Sequence, residues 1–175
     1  MWKIISSKEI FSHQRLSLIE DEIILPNGTE TTYLKYKDDG SYATTIIAKR
    51  GDGKILLQLE YSHPQGQRIF YFPGGGVPHH EKPEIGANRE LMEETDLMAN
   101  NLKLLGTYLV NNRRSNLKMF VYLATDLEEK SLTGDQEEDI EIFWFSETEI
   151  AEMIKNNEIA NSSILSAWCL YQAKK

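Results

Sequence analysis

Three consecutive glycines and the carboxylate-rich run that ends the same segment constrain this chain more than any other stretch of it. The segment Gly74–Leu97 reads GGGVPHHEKPEIGANRELMEETDL. Glycines permit backbone angles and close approaches that other residues resist, and the run from Ile85 to about Thr95 is predicted to be helical. A glycine loop that opens onto an acidic helix suits a metal ion and a phosphate group.

The carboxylates of this predicted helix fall on one side of it. At about 100° per residue, Glu90, Glu93 and Glu94 share one face, and the small Ala87 beside them is predicted to leave room for a ligand. The apolar residues are predicted to face the other way: Leu91, Met92 and Ile85. Neighbouring carboxylates repel by roughly 0.2–0.5 kcal/mol per pair, which a hard divalent cation relieves. Taken alone, the helix is better explained by a solvated acidic face, because glutamate-rich helix faces are common.

Composition bounds the class of protein. The 175 residues suit one domain with a short extra arm, and the formal net charge of −8 argues against a surface that wraps nucleic acid. No apolar run approaches the ~20 residues of a membrane span. The single cysteine, Cys169, excludes an internal disulfide and is predicted to be a buried apolar filler. The protein is therefore predicted to be cytoplasmic, without a nucleic-acid or membrane partner.

The remaining pattern predicts an α+β domain that follows a β arm. Residues 1–37 are predicted to form the N-terminal arm, in which Ile19–Leu25 and Thr31–Tyr36 flank the turn Pro26-Asn27-Gly28 as a hairpin. Residues 38–175 are predicted to form the main domain. The arm has too little apolar content to fold alone, so it must pack on the remainder or on a second subunit.

Strand and helix signals alternate through the main domain. Tyr42–Ala48 and Lys54–Tyr61 are predicted to pair as a hairpin. Further strands are predicted at Arg68–Phe72, Leu102–Val110, Lys118–Thr125 and Glu141–Phe145. Two loops are predicted, the polar Asn111–Asn116 and the acidic Leu127–Asp139. Helix starts are predicted at a Ser146 and Glu149 capping box, and at Ser162 or Ser163 for a last helix ending near Lys174.

The glycine loop and the acidic helix together resemble the Nudix box, the signature of hydrolases that cleave nucleoside diphosphates linked to another moiety. The matching positions are Gly75, Glu81, Arg89, Glu90, Leu91, Glu93, Glu94 and Leu97. Asp96 stands where the family has a glycine that ends the helix in a left-handed turn. Aspartate tolerates that conformation better than most residues, so the departure concerns the helix end and not the carboxylates.

The resemblance implies a Nudix fold, an α/β/α sandwich with a mixed sheet flanked by helices. It also implies Mg²⁺ as cofactor, with Mn²⁺ possible, and attack of an activated water on a phosphorus. The metal ligands implied are Gly74 through its carbonyl, Glu90, Glu93 and Glu94. The catalytic group implied is Glu93, Glu94, Arg89 and Glu138. Glu81 and Arg89 would orient the ligand-bearing helix, and Gly75 would lie against the substrate.

The flanking segments are most similar to the ADP-ribose and nucleoside-diphosphate-sugar pyrophosphatase branch. The segments that carry this weaker likeness are Leu25–Gly28, Leu123–Leu127, Gln136–Ile140 and Asn157–Ser162. In that branch the arm mediates a homodimer, and the acidic loop supplies a glutamate near the attacking water. Glu138 is the first choice for that glutamate and Glu137 the second. A solvated acidic loop is the alternative.

One departure concerns the substrate. The branch often carries Gln-aromatic-Arg where this chain has Glu60-Tyr61-Ser62, so Arg68, Arg113 or Arg114 would have to supply the charge, unless these side chains are simply solvated. His79 and His80 are predicted to be exposed loop residues. The aromatic residues near the loop are predicted to belong to the core: Tyr61, Phe70, Tyr71 and Phe72.

The function predicted on this resemblance is Mg²⁺-dependent hydrolysis of the diphosphate linkage in a nucleoside diphosphate derivative, ADP-ribose or a nucleotide-sugar. The products would be a nucleoside monophosphate and a phosphorylated moiety. A nucleoside triphosphate sanitising pyrophosphatase and a non-catalytic nucleotide-sugar sensor are the alternatives. A sensor that lacks catalysis tends to lose box carboxylates, and this chain keeps them all.

Overall fold

The computed structural model describes residues 1–132 and 139–175, and the chain divides into two compact units. The first unit comprises Met1–Gly40 and Leu109–Leu117, and the second comprises Ser41–Tyr108 and Lys118–Lys175. Glu137 and Glu138 lie outside the described residues. The predicted domain boundary after residue 37, with its dimerising arm, stays a prediction.

The first unit is an antiparallel sheet whose strands follow one another along the chain. They are β1 (Lys3–His13), β2 (Leu16–Ile24) and β3 (Glu30–Tyr36), in the spatial order β1-β2-β3. The predicted N-terminal hairpin is therefore confirmed as β2 and β3, with Gly28 in its turn at a φ of 86°. The segment 109–117 joins this sheet, because the amide of Tyr36 donates to the carbonyl of Arg114 at 2.7 Å.

The second unit contains mixed and antiparallel strands with helices packed on them. Its elements in chain order are β4 (Tyr42–Ala48), β5 (Ile55–Ser62), a 3-10 helix (His63–Gln65), β6 (Gln67–Tyr71), β7 (Gly76–Val77), α1 (Pro83–Thr95), β8 (Leu97–Leu109), β9 (Lys118–Glu129), β10 (Glu141–Phe145), α2 (Glu147–Lys155) and α3 (Ser162–Lys174). One sheet has the order β7-β4-β9-β8 and the other β10-β5-β6. Strands β4 and β9 are parallel, whereas β4 and β7 are antiparallel, so the predicted mixed sheet is confirmed.

Strand β4 and the first half of β5 are buried on both faces, which explains why apolar residues dominate there. Because successive side chains of a strand point to opposite faces, each strand contributes to two cores. One core, which includes residues of α2 and α3, takes Ile47, Ile55 and Leu57. The other, which includes residues of α1, takes Ile46, Ala48 and Leu56. The layers are helix, sheet and helix, as predicted.

The predicted pairing of Tyr42–Ala48 with Lys54–Tyr61 was wrong. The two strands lie in different sheets, and a bridge between Lys49 and Ile55 is the contact recorded between the strand ends. Each strand has partners of its own, β7 and β9 for β4, and β6 and β10 for β5. A short turn between two strands therefore does not make them a hairpin here.

Three local predictions near the C-terminus were also wrong. Strand β9 continues to Glu129, so the acidic loop begins later than Leu127. The last helix is capped by Asn161, whose Oδ1 accepts from the amide of Ile164 at 3.0 Å. Cys169 is exposed, because the buried stripe of α3 consists of other residues: Ile164, Ala167, Trp168 and Tyr171. Among the described residues, no helix has the length and apolarity to span a membrane.

Candidate active site

The glycine loop runs along β4 at hydrogen-bonding distance. The amide of Thr44 donates to the carbonyl of Gly75 at 2.9 Å, and the amide of Ile46 donates to the carbonyl of Pro73 at 2.8 Å. Gly74 has a φ of 143°, and a Cβ there would lie 2.8 Å from the carbonyl carbon of Thr44. Both the backbone angle and the space therefore require glycine at position 74.

Two further glycines let helix α1 approach the loop. A Cβ on Gly75 would lie 2.7 Å from Cδ of Glu90, and a Cβ on Gly86 would lie 2.5 Å from Cγ2 of Val77 in β7. Gly86 was not among the predicted site residues, although it lies inside the predicted helix, where glycine is costly. A glycine kept within a helix is the signal that could have identified this close contact.

Helix α1 buries Leu91, as predicted, but the rest of its buried face differs from the prediction. Its buried residues are Gly86, Ala87, Leu91 and Thr95. Ala87 packs in the core with Leu91 and does not leave room for a ligand, whereas Ile85 is 55% exposed. The buried stripe lies beside the carboxylates because the acidic side of the helix packs towards the glycine loop. As a result, the Glu90 side chain is only 14% exposed.

Arg89 holds three carboxylates together. Its Nη1 donates to Glu90 Oε1 at 2.7 Å and to Glu93 Oε2 at 2.8 Å. Its Nη2 and Nε donate to the two carboxylate oxygens of Glu81 at 3.1 and 3.3 Å. Nη2 also donates to the carbonyl of Gly76 at 3.1 Å, which ties the helix to the loop. Glu81 and Arg89, the pair predicted to orient the helix, are therefore bonded to each other, and Arg89 also bonds the loop.

The electrostatics of this group favour an added positive charge. Hydrogen bonds from the guanidinium, first of all to Glu81, raise the pKa of Arg89 above its ordinary value. Burial raises the pKa of Glu90, although hydrogen bonding to Arg89 opposes this. Because one guanidinium serves three carboxylates, the group keeps a net negative charge that a cation would neutralise.

Glu94 is held by a different set of donors. Its Oε2 accepts from the amide of Gly74 at 2.9 Å and from Nε2 of Gln58 at 3.0 Å. Gln58 lies on β5 and is only 3% exposed. It was not predicted as a site residue, although a polar residue within the apolar run Ile55–Leu59 was a visible signal. Glu94 therefore connects the helix to both the glycine loop and β5.

The donor set suits a hard divalent cation. Carboxylate oxygens from Glu90, Glu93 and Glu94 are the ligands that Mg²⁺ takes, and the carbonyl of Gly74 is of the same chemical type. Within residues 1–132 and 139–175, no group of three or more acidic, histidine or cysteine side chains is arranged as a metal cluster. The carboxylates instead accept the hydrogen bonds described above, so a cation would compete with Arg89 for them.

The end of α1 agrees with the expectation for Asp96. This residue adopts the left-handed conformation, with φ 55° and ψ 28°, and forms the C-cap of the helix. Its carbonyl accepts from the amide of Lys130 at 2.9 Å. The substitution of the family's glycine therefore leaves the expected turn in place.

Arg68 is engaged with Asp139, which precedes β10, with Glu141 at the start of β10, and with β5. Its Nη1 donates to Oδ2 of Asp139 at 2.7 Å, and its Nη2 lies 3.1 Å from Oε1 of Glu141. Nη2 also donates to the carbonyl of Leu59 at 2.9 Å. The structure thus places this predicted substrate-binding residue in an ion-pair network, away from the described contacts of the carboxylates on α1.

Arg113 and Arg114 belong to the first unit, where they line a cavity of about 290 Å³ beside β3. The guanidinium of Arg114 lies over the ring of Tyr33, 5.3 Å from its centroid, and donates to the carbonyl of Leu34 at 3.2 Å. The hydroxyl of Tyr33 donates to the carbonyl of Arg113. The lining thus combines two guanidinium groups with an aromatic ring.

The remaining predictions concern exposed and buried rings. His79 and His80 are exposed, as predicted, and their rings meet edge to face at 5.4 Å. Phe72 is buried in the core, as predicted, whereas Tyr61 is exposed. The prediction for Tyr61 was wrong because the strand is buried on both faces only over its first half.

Comparisons with known proteins point to one family. The sequence profile of the NUDIX domain matches residues 41–167. An ADP-ribose pyrophosphatase of Bacillus subtilis (strain 168) is 26% identical over 175 residues, which cover 99% of this chain and 94% of the relative. An ADP-ribose pyrophosphatase of Mycobacterium tuberculosis (strain ATCC 25618 / H37Rv) is 29% identical over 164 residues, which cover 92% and 78%.

A solved structure agrees with the fold. The crystal structure of an ADP compounds hydrolase superposes with a TM-score of 0.92 at 22% identity, covering 98% of this chain and 92% of that one. The profile match spans well over half of the sequence and includes the glycine loop, Arg89 and the carboxylates of α1. The chain therefore belongs to the Nudix family and is a Nudix hydrolase.

Proposed function

We propose that this enzyme hydrolyses the diphosphate linkage of ADP-ribose or a nucleotide-sugar and depends on Mg²⁺, with Mn²⁺ as the alternative ion. The observation that carries the proposal is the direct contact between the glycine loop and the carboxylates of α1. The amide of Gly74 bonds Glu94 at 2.9 Å, and Gly75 lies against Glu90. The names of the two bacterial relatives support the choice of substrate.

In this proposal, Glu90, Glu93 and Glu94 hold the cation, with the carbonyl of Gly74 as a further ligand. A bound divalent cation supplies Lewis-acid activation of water and neutralises charge on the departing phosphate. Arg89 keeps Glu90 and Glu93 beside the loop through its 2.7 and 2.8 Å hydrogen bonds. Glu81 anchors Arg89, and Gly75 provides a surface without a side chain for the substrate.

The proposed reaction is a simple hydrolysis. The oxygen of water bonds to one phosphorus of the linkage while the bond from that phosphorus to the bridging oxygen breaks. The water loses a proton to a base, and the bridging oxygen leaves with the second phosphate. ADP-ribose would give AMP and ribose phosphate. Glu138 is the proposed base, with Glu137 second, and both lie outside the described residues.

Three arginines are proposed to bind the substrate. Arg113 and Arg114 line a cavity together with an aromatic ring, and guanidinium groups with aromatic rings suit a nucleobase or a phosphate. Arg68 would first have to leave Asp139 and Glu141. A substrate-binding role predicts that alanine variants raise KM more than they lower kcat.

We also propose that the enzyme is a homodimer held by its N-terminal arm. Strand β1 lies at the edge of its sheet and is exposed along its whole length, including the apolar Ile4, Ile10 and Phe11. Unpaired edge strands with apolar side chains favour pairing with another chain. Light scattering should give twice the chain mass of 20.1 kDa, and a monomer would contradict the proposal. The single cysteine supports a reducing compartment, and we propose the cytoplasm.

A substrate panel tests the proposed function. With Mg²⁺ present, the purified enzyme should release AMP from ADP-ribose or a nucleoside monophosphate from a nucleotide-sugar. Preferential turnover of nucleoside triphosphates would instead favour a sanitising pyrophosphatase. Binding of nucleotide-sugars without turnover of any compound would favour a sensor. Omitting the metal or adding a chelator is the control that separates cation-dependent hydrolysis from a contaminating activity.

A further inference from the structure

We infer that Gln58 is a positioning residue for Glu94, whose carboxylate it fixes in the orientation that meets the cation. The inference rests on the proposed metal-binding role of Glu94. It concerns a residue of β5, outside the glycine loop and outside helix α1.

The first argument is the burial of an amide within an apolar strand. Gln58 is 3% exposed, and its neighbours Leu56 and Leu57 are completely buried. Burying an amide costs free energy unless it is hydrogen-bonded, so an apolar residue would be expected at this position. Nε2 of Gln58 donates to Oε2 of Glu94 at 3.0 Å. The hydrogen bond to Glu94 accounts for the presence of the amide.

The second argument is the rigidity of the two donors that meet at one oxygen. Oε2 of Glu94 accepts from Gln58 and also from the amide of Gly74 at 2.9 Å. Gln58 is paired on both sides within its sheet, with Ile142 of β10 and Tyr71 of β6. Two donors on fixed backbones restrict both the position and the plane of the carboxylate. Such partners orient ligands at metal sites.

The third argument is charge. Glu90 and Glu93 are held by Arg89, a cation that competes with a metal ion for the same oxygens. Gln58 holds Glu94 through a neutral amide, which leaves the negative charge of the carboxylate uncompensated by this partner. The hydrogen bond from Gln58 therefore holds Glu94 in place without adding a positive charge beside it.

The test is the affinity of the substrate-free enzyme for Mn²⁺, measured by the electron paramagnetic resonance signal of the free ion. Gln58→Met removes the hydrogen-bond donor. It keeps a side chain of similar length, and its apolar character suits the buried position in β5. We expect its affinity for Mn²⁺ to fall about tenfold, the lower end of the effect of losing a partner of a metal ligand. Gln58→Leu is the second variant if the first does not fold. An affinity within twofold of the unmodified enzyme would overturn the inference.

Asn88→Leu is the matched control. The Asn88 amide donates to the carbonyl of Ala99 at 2.9 Å, and its Oδ1 accepts from the amide of Ala99 at 2.9 Å, so it braces α1 without contacting a carboxylate. This variant should lose stability and keep its Mn²⁺ affinity. A tenfold loss of affinity here too would mean that Gln58 acts only through general stability, which would overturn the inference.

Glu94→Gln distinguishes a failure of the proposed metal-binding role of Glu94 from a failure of the role inferred for Gln58. If the unmodified enzyme binds no Mn²⁺, or if Glu94→Gln binds it normally, the proposed metal role of Glu94 fails and the inference fails with it. If Glu94→Gln loses affinity and Gln58→Met does not, the proposed function stands and only the role of Gln58 is overturned.

Discussion

Glu90 and Glu147 are both partly buried carboxylates with cationic neighbours, yet their surroundings act on them in opposite directions. Glu147 accepts from Lys175 at 2.8 Å, from the hydroxyl of Tyr171 at 2.6 Å and from Lys49 at 2.9 Å. These hydrogen bonds, led by the one from Lys175, lower its pKa to about 2. Glu90 shares the single guanidinium of Arg89 with other carboxylates, and burial raises its pKa.

The difference separates a structural network from the proposed cation site. The Glu147 network, formed by Lys49, Glu147, Tyr171 and Lys175, has two ammonium groups for one carboxylate. The Arg89 network, formed by Glu81, Arg89, Glu90 and Glu93, has one guanidinium for three carboxylates. The first network is complete within the chain. The second is short of positive charge, which is what a cation site requires.

The largest expected effect is on kcat, which is compared for one substituted carboxylate in the proposed cation site and one in the Glu147 network. Glu94→Gln should lower kcat about 100-fold or more, because replacing a ligand should cost at least as much as losing one of its partners. Glu147→Gln, matched in chemistry but placed in the structural network, should keep kcat within about twofold, because its hydrogen bonds to Lys49, Tyr171 and Lys175 involve none of the carboxylates of α1. Both variants should be assayed at saturating Mg²⁺. Equal losses in the two variants would remove the distinction.

The next effect tests the excess of negative charge in the Arg89 network. Arg89→Gln leaves three carboxylates close together without their guanidinium. The free energy of unfolding should therefore fall by about 2 kcal/mol in metal-free buffer, in the range for hydrogen bonds to charged groups. The loss should be smaller with Mg²⁺, because the cation no longer competes with Arg89 in the variant and therefore stabilises its folded state more than that of the unmodified enzyme. Urea unfolding with and without Mg²⁺ measures both values, and a loss unchanged by Mg²⁺ would contradict the interpretation.

A smaller effect tests the Glu147 network through pH. The folded-state pKa of Glu147 lies below the ordinary value of 4.5, at about 2. Its contribution is therefore fully present above pH 4.5 and is lost as the pH falls towards 2. Glu147→Gln should lower the free energy of unfolding by about 1.5 kcal/mol at pH 7 and by much less near pH 2.5. Unfolding at the two pH values checks this, and a difference independent of pH would contradict it.

The smallest effect concerns the end of α1, which belongs to neither network. Asp96 has a φ of 55°, a conformation that glycine adopts without steric cost. Asp96→Gly should raise the free energy of unfolding by about 0.5 kcal/mol, after the greater flexibility of glycine in the unfolded chain is counted. Asp96→Ala is the opposite control and should lower it. Thermal unfolding of the pair measures the difference, and a stabilising alanine would refute the explanation.

The sequence predicted the parts of the fold that depend on local composition. Tyr42–Ala48 and Glu141–Phe145 were predicted with the bounds that the structure shows, because β-branched and aromatic residues mark strands clearly. The capping box of Ser146 and Glu149 was also predicted and is present. For the site, spacing alone brought the glycine loop and the carboxylates of α1 together, and the structure places them in contact.

What the sequence could not predict depends on contacts between distant segments. The buried face of α1 was misassigned because a helical wheel cannot show that the acidic side packs against a loop. Ala87 is therefore a core residue. Gln58 was missed because its partner Glu94 is 36 residues away in the chain. Cys169 was placed in the core by its apolar neighbours, although helical spacing turns it outward from Trp168 and Tyr171.

The first unit is formed by two segments that lie far apart in the chain, and this affects the order of folding. Its sheet is made by the first 40 residues, but it is joined by the segment 109–117. The hydrogen bonds from Tyr33 to Arg113 and from Arg114 to Leu34 each link residues 80 positions apart. During synthesis, which proceeds at about 5–20 residues per second, the arm leaves the ribosome first and must wait several seconds for this segment. The first unit is thus begun before the second, but it is completed only after the intervening residues 41–108 have been made.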